Sequence, residues 1–153
     1  GDYHARFKEE FARRSASAEV ERMRAELESS GLHETDPDAY RQRRFELSVA
    51  GYFRDPRDAR DGAPFVVQAQ AQQATWASLK RDTPRLQQAL SRLTVPALIL
   101  HGRHDPIPLE WARELADTLP DAELVVLEKS GHVPYVEEPE RTFDEIRCYL
   151  GER

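Results

Sequence analysis

The sequence is poor in the residues and patterns that several classes of protein require. Cys148 is the only cysteine among 153 residues, which excludes an intramolecular disulfide and a cysteine-rich metal site. The longest apolar run, Val95–Leu100, is far shorter than the ~18 residues typical of a membrane-spanning helix. The net charge of −6 argues against nucleic-acid binding through a general basic surface, because that mode needs many cations to neutralise phosphates.

The opening residues also lack the basic, apolar and small-residue order of a signal peptide, since the chain begins with charged, helix-like sequence that includes Asp2, Arg6 and Lys8. We therefore expect a soluble cytoplasmic protein with neither a nucleic-acid nor a membrane partner. A length of 153 residues fits one domain of roughly 100–200 residues. It is too short for a complete large α/β enzyme with an added lid.

The first part of the chain is a series of predicted helices. Asp36 followed by Pro37 is typical of a helix start, with an N-cap residue and then proline at the first helical position. Elsewhere apolar residues recur at helical spacing. The segments predicted as helical are 2–13, 17–29, 37–53, 64–79 and 84–90.

The pattern changes near Thr94. Val95–Leu100 is a continuous apolar run, which is typical of a strand buried on both faces of a parallel sheet. A helical pattern, a second short apolar run and another helical pattern follow, at residues 109–119, 123–127 and 138–150. The order strand, helix, strand, helix predicts a parallel α/β sheet with crossover helices.

A carboxylate and an imidazole follow the two predicted strands. Asp105 lies in the loop after the first strand, and His132 lies in the loop after the second. Active sites in open α/β sheets form at the carboxyl ends of the strands, so we expect both side chains at one edge of the sheet. There the carboxylate can accept the Nδ1–H bond of the imidazole, select its tautomer and stabilise the imidazolium. This arrangement predicts a general base and the acid that orients it.

The residues around both loops resemble the α/β-hydrolase family. Val95–Pro108, with the sequence VPALILHGRHDPIP, is similar to that family's seventh strand and acid loop. Pro120–Glu140 is similar to its last strand, catalytic-histidine loop and final helix. The order Asp then His agrees with the family's order Ser, Asp, His. The resemblance implies that Asp105 is the acid and His132 the base of a Ser-His-Asp triad, and it implies no cofactor.

The upstream half is similar to the helical cap that many members insert between the sixth and seventh strands. Its stretches Arg43–Pro56 and Trp76–Pro96 resemble caps of the proline iminopeptidase-like subgroup. The resemblance divides the chain into a helical cap or lid, residues 1–92, and the C-terminal part of the hydrolase core, residues 93–153. Candidates for lining a substrate pocket are Tyr52, Phe53, Trp76 and Val133. For the three aromatic residues, packing on a helix face is the favoured interpretation.

The family's nucleophile motif, Gly-x-Ser-x-Gly, is absent from these residues. Ser130 follows a predicted strand but has the wrong sequence context. The Gly-rich oxyanion loop and most strands of the sheet are also missing. We therefore predict a partial α/β-hydrolase fold with an all-helical cap, which needs an N-terminal half to cover its sheet edges. That half, on the same precursor or on a separate chain, is the expected partner and carries the serine.

Several functions stay open at this point. One is a serine-type hydrolase, proline iminopeptidase-like, acting on small peptide, amide or ester substrates. A second is a truncated hydrolase that acts as a non-catalytic interaction module. A third is another activity of the same fold, such as epoxide or haloalkane hydrolysis, which differs only in nucleophile and pocket. A metal site at His101, His104 and Asp105 is disfavoured because this tight loop lacks further ligands, so no metal is predicted.

Overall fold

The structure is a computed structural model that describes residues 2–62 and 69–151. Its helices are α1 Tyr3–Ser15, α2 Ala18–Ser29, α3 Leu32–Thr35, α4 Pro37–Val49, α5 Ala69–Leu90, α6 Leu109–Thr118, α7 Pro134–Glu137 and α8 Pro139–Tyr149. Two strands, β1 Ala97–Gly102 and β2 Ala122–Leu127, pair in parallel. The predicted order of helices followed by strand, helix, strand and helix is confirmed.

Side-chain caps begin the helices where the local sequence predicts them. The hydroxyl of Ser17 accepts the amide of Val20 at 3.4 Å at the start of α2. The carboxylate of Asp36 accepts the amide of Ala39 at 3.0 Å at the start of α4, where Pro37 is the first helical residue. Such caps satisfy amides that have no partner within the helix, and each contributes about 1 kcal/mol.

The main buried core lies between α2 and α4. One face of α2 buries apolar residues three and four positions apart, which matches the turn of a helix. The core cluster consists of Val20, Met23, Leu27, Leu47, Ala50, Phe53 and Ala59. Burial of a large apolar side chain contributes roughly 1.5–3 kcal/mol, so this cluster holds the helical part together.

Helix α5 differs from its prediction. It runs unbroken over Ala69–Leu90, whereas separate helices were predicted on either side of Pro84. Proline favours the first turn of a helix, but inside a helix it removes one backbone hydrogen bond among many. The predicted helix start at Pro64 lies outside the described residues. None of the helices in the described part of the chain is long and apolar enough to cross a membrane.

The sheet pairs Ala97 with Ala122 and Gly102 with Leu127, so both strands end at the same level. Helix α6 forms the crossover between them. The strand residues are mostly half-buried, not buried on both faces as predicted, and Val95 just before β1 is 68% exposed. The reason is that the sheet has two strands in the described residues, so neighbouring strands do not cover it.

Helix α1 joins the two parts of the chain. The guanidinium of Arg14 donates to the backbone carbonyl of His104 in the loop after β1. At the other end of α1, the ring of Tyr3 stacks on Trp111 of α6 with centroids 6.5 Å apart. These contacts place α1 beside the carboxyl edge of the sheet.

Candidate active site

Asp105 and His132 lie in hydrogen-bonding contact at the carboxyl edge of the sheet. Nδ1 of His132 is 2.8 Å from Oδ2 of Asp105, and each residue follows one of the two strands. The Asp105 side chain is 6% exposed, whereas that of His132 is 43% exposed. The hydrogen bond that His132 donates to the Asp105 carboxylate raises the pKa of His132, although partial burial opposes the shift. The arrangement leaves Nε2 of His132 as the ring nitrogen able to exchange a proton with a substrate or nucleophile.

The loop that carries Asp105 is held at both ends. Oδ1 of Asp105 accepts the amide of Ile107 at 2.7 Å. The ring of His101, at the end of β1, reaches the carbonyl of Ile107 with Nε2 at 3.1 Å, so that nitrogen is the donor. Burial lowers the pKa of His101, which favours a neutral ring. Within the described ranges, no group of three or more His, Cys, Asp or Glu residues is arranged to hold a metal ion.

Two carboxylates after His132 hold its loop. Glu138 accepts the hydroxyl of the fully buried Ser130 at 2.9 Å. Glu137 accepts the amide of Gly131 at 2.7 Å. Both residues escaped the sequence-based prediction, because surface glutamates at a helix start are common. The available signal was their position between the histidine loop and Pro139, where α8 begins.

Backbone contacts bring the histidine loop close to β1 and to the cap. A Cβ atom on Gly102 would overlap the carbonyl oxygen of Gly131. A Cβ atom on Gly131 would lie 2.9 Å from the amide nitrogen of Arg54 and closer still to the carbonyl oxygen of Tyr52. Glycine is needed at both positions because any side chain would force these backbones apart. The amide of His132 then donates to the carbonyl of Tyr52 at 2.8 Å.

The four residues predicted to line a substrate pocket have different surroundings. The Tyr52 ring lies 5.0 Å from the His132 ring, centroid to centroid, which places it beside the site. Phe53, in contrast, is 5% exposed and packs in the helical core. Val133 is half-buried against the same core. The side chain of Trp76 lies outside the described part of the structure.

A cavity of about 240 Å³ opens beside the Asp–His pair. Its walls combine the end of β1, the acid loop, α6 and the histidine loop. The polar walls come from His101, Asp105 and His132, and apolar walls include Ile107, Trp111 and Leu115. Mostly apolar walls with a few convergent polar groups are usual in ligand sites. Trp111 and Leu115 escaped prediction because their spacing on α6 equally fits packing against the sheet.

The family model of the alpha/beta hydrolase family matches this chain over residues 6–145. The chain therefore belongs to the alpha/beta hydrolase family, and the predicted fold class is confirmed. The match extends over the helical first part as well as over the strands and their loops.

Curated relatives resemble part of the chain. One is the AB hydrolase superfamily protein YisY of Bacillus subtilis, 44% identical over 57 residues, which are 37% of this chain and 21% of that protein. Another is a pimeloyl-[acyl-carrier protein] methyl ester esterase of Vibrio vulnificus, 34% identical over 67 residues, which are 43% of this chain and 26% of that protein. A proline iminopeptidase of Heyndrickxia coagulans is 39% identical over 62 residues, which are 40% of this chain and 22% of that protein. The matched segments span about a quarter of these relatives' lengths.

A solved structure supports the fold. The 2-hydroxy-6-oxo-6-phenylhexa-2,4-dienoate hydrolase (BphD) of Rhodococcus sp. strain RHA1 matches with a TM-score of 0.52 and 22% identity. The match covers 78% of this chain and 46% of that one, so this chain corresponds to about half of that hydrolase. At this identity the likeness shows the fold and leaves the substrate open.

Proposed function

We propose that this chain supplies the cap and the Asp105–His132 pair of a serine-type hydrolase acting on ester, amide or peptide bonds. The observation that carries the proposal is the 2.8 Å contact between His132 Nδ1 and Asp105 Oδ2 after two adjacent parallel strands. Membership of the alpha/beta hydrolase family supports hydrolysis as the reaction class. The nucleophilic serine belongs to a segment or partner chain outside these residues, because the sequence contains no Gly-x-Ser-x-Gly.

The pair performs the proton transfers of acyl transfer. As the serine oxygen bonds to the substrate carbonyl carbon, its proton passes to Nε2 of His132. Asp105 accepts the Nδ1–H bond throughout and stabilises the imidazolium. The imidazolium then protonates the leaving group as the carbonyl–leaving-group bond breaks. Water then bonds to the acyl carbon and gives a proton to Nε2 of His132. The imidazolium protonates the serine oxygen as the acyl–serine bond breaks.

The partner in this proposal is the N-terminal half of the hydrolase. The two-stranded sheet leaves strand edges unpaired in the described residues, and unpaired edges are liable to associate with other strands. Val95 beside β1 and Leu150 after α8 are each 68% exposed, which is unusual for large apolar side chains of a complete core. We propose that the missing strands cover this part, residues 93–153, while residues 1–92 form the cap.

The cap is proposed to influence substrate choice because Tyr52 lies against His132. A proline iminopeptidase-like preference is supported by the partial match to such an enzyme, while an esterase matches to a similar extent. Hydrolysis of prolyl-p-nitroanilide and of p-nitrophenyl acetate by the complete hydrolase separates these cases. A strong preference for the prolyl amide supports the iminopeptidase subgroup. Hydrolysis of the ester alone assigns the protein to the esterases.

The proposal is tested on the complete native protein with a fluorophosphonate probe that labels activated serines. We expect labelling of a serine outside this sequence, and loss of turnover in His132→Ala. The matched control is His33→Ala, because His33 is an exposed histidine on α3 with its own partner, Glu34. Full activity in His132→Ala would overturn the assignment of the base. A native protein that carries no labelled serine would overturn the serine-type mechanism and leave two alternatives, the non-catalytic interaction module and a hydrolase of the same fold with another nucleophile.

A further inference from the structure

The histidine loop is bonded to one short segment of the cap, Tyr52–Arg54. The amide of His132 donates to the carbonyl of Tyr52 at 2.8 Å. The carboxylate of Glu137 then bridges the two segments, with Oε2 accepting the amide of Gly131 at 2.7 Å and Oε1 accepting the amide of Arg54 at 2.6 Å. One side chain therefore ties the catalytic loop to the cap on both sides of their contact.

We propose that Glu137 is a positioning residue, which fixes the His132 loop against the cap segment so that the imidazole stays on Asp105 and beside Tyr52. The inference rests on the proposed function, because it assigns His132 the role of the base. Glu137 acts through the backbone: its hydrogen bonds go to amides of Gly131 and Arg54, and not to the imidazole or to Asp105.

A carboxylate suits this position for a chemical reason. Each of its two oxygens accepts one amide, and bonds of 2.6 and 2.7 Å are in the short range typical of charge-assisted hydrogen bonds. A glutamine has one oxygen and an amide group that can only donate, so it can serve one of the two partners but not both. Burial raises the pKa of Glu137, with Asp58 adding to the shift, while the amide bonds oppose it.

The anchor of Glu137 is firm. It is the last residue of α7, and Pro139 begins α8 two residues later. Next to it, Glu138 accepts the amide of Lys129 at 2.7 Å, which holds the other end of the same loop. The loop has no room to shift toward the cap, since Gly131 already touches the backbone of Tyr52 and Arg54. Loss of the bridge can therefore only let the two segments separate.

The test uses the complete hydrolase with Glu137→Gln, and Glu140→Gln as the control, because Glu140 is an exposed glutamate in the first turn of α8. Misplacing a catalytic group by about 1 Å can lower the rate by about 100-fold. We expect kcat to fall between about 10- and 100-fold in Glu137→Gln, with KM close to the wild-type value. The acid limb of the kcat/KM profile should move to lower pH, since a looser contact with Asp105 removes the cause of the raised pKa of His132.

Two further readouts do not depend on activity. Proton exchange at the amides of Gly131 and Arg54 should become faster in Glu137→Gln, and the His132 imidazole should titrate at lower pH by NMR. If wild-type protein shows no hydrolysis, the proposed function fails, while these two measurements still decide the role of Glu137. The positioning role is overturned if kcat, pH profile and histidine titration all equal those of Glu140→Gln. It is equally overturned if activity and thermal stability fall together while the kcat/KM pH profile and the His132 titration stay unchanged.

If Glu137→Gln does not fold, Glu137→Asp replaces it. This variant keeps the charge and shortens the side chain by one methylene, so it cannot reach both amides at their present distances. We expect the acid limb of the kcat/KM profile to move in the same direction, to lower pH, but by less than in the glutamine variant. A wild-type pH profile in a folded Glu137→Asp protein would overturn the proposal.

Discussion

Replacement of Asp105 by asparagine tests the proposed site most directly. The variant has nearly the same shape, and its Oδ1 can still accept the amide of Ile107, which Asp105 accepts at 2.7 Å. At the other position, however, the oxygen that faces His132 Nδ1 at 2.8 Å becomes an NH₂ donor. A donor there obliges Nδ1 to be the acceptor, and Nε2 then carries the proton. The imidazole is therefore held in the tautomer that cannot accept a proton from a serine.

The size of the effect follows from that geometry. Because the Asp105 side chain is 6% exposed, water does not readily replace the lost acceptor. Where a buried triad aspartate is changed to asparagine without disturbing the fold, kcat falls on the order of 10⁴-fold. At about 1.36 kcal/mol for each factor of ten, this loss equals about 5.4 kcal/mol of transition-state stabilisation. KM should change little, because the substitution removes an interaction that matters once the imidazolium forms.

The assay is steady-state hydrolysis of a p-nitrophenyl ester by the complete hydrolase, compared with Asp117→Asn. Asp117 is an exposed aspartate on α6, so its change alters the same net charge away from the site. The NMR titration of His132 is the companion measurement, and its pKa should fall in Asp105→Asn because its largest raising cause is removed. A loss of kcat under about tenfold, or an unchanged histidine titration, would refute the base–orienter interpretation.

The remaining predictions concern the scaffold and its dependence on pH. Gly102→Ala should destabilise the protein by about 1–3 kcal/mol and displace the histidine loop, because the alanine Cβ would overlap the Gly131 carbonyl. Urea unfolding measures the loss of stability, and kcat measures the displacement of the loop. Leu27→Ala should cost about 2–5 kcal/mol, since Leu27 is buried in the α2–α4 core, whereas the exposed Leu86→Ala should change the Tm little. The folded-state pKa of His132 is raised, so its contact with Asp105 stabilises the fold below the unfolded pKa of ~6.5 and loses that effect as pH rises through the folded pKa. The Tm difference between wild type and His132→Gln should therefore be larger near about pH 5.5 than near about pH 9, and equal differences would contradict the assignment.

The sequence predicts the parts of this fold that depend on local signals. The cap residue Asp36 and the apolar run into β1 act over a few neighbours, so the element order follows from them. The proximity of Asp105 and His132 also follows, because parallel strands joined by one helix bring their carboxyl ends together. The full burial predicted for the strands does not follow, since the sheet has only two strands in the described part of the chain.

The surroundings of the site depend on tertiary contacts that the sequence pattern does not reveal. Tyr52 and Phe53 are adjacent aromatic residues with the same helical pattern, yet the short 3-10 turn over Ala50–Tyr52 places one beside His132 and the other in the core. The bonds of Glu137 likewise depend on tertiary contacts. Its partners Gly131 and Arg54 are 6 and 83 positions away, and only the folded chain brings both amides to one carboxylate.

Hydrogen bonds among the described residues hold both loops of the Asp–His pair. The acid loop is held by His101 and Ile107, and the histidine loop is held by Glu137 and Glu138. These contacts connect the end of β1 with the acid loop, and the loop after β2 with the start of α8. They position the Asp105 carboxylate and the His132 imidazole relative to each other. In the function proposed above, these contacts would supply an imidazole that is already oriented before it meets a nucleophile.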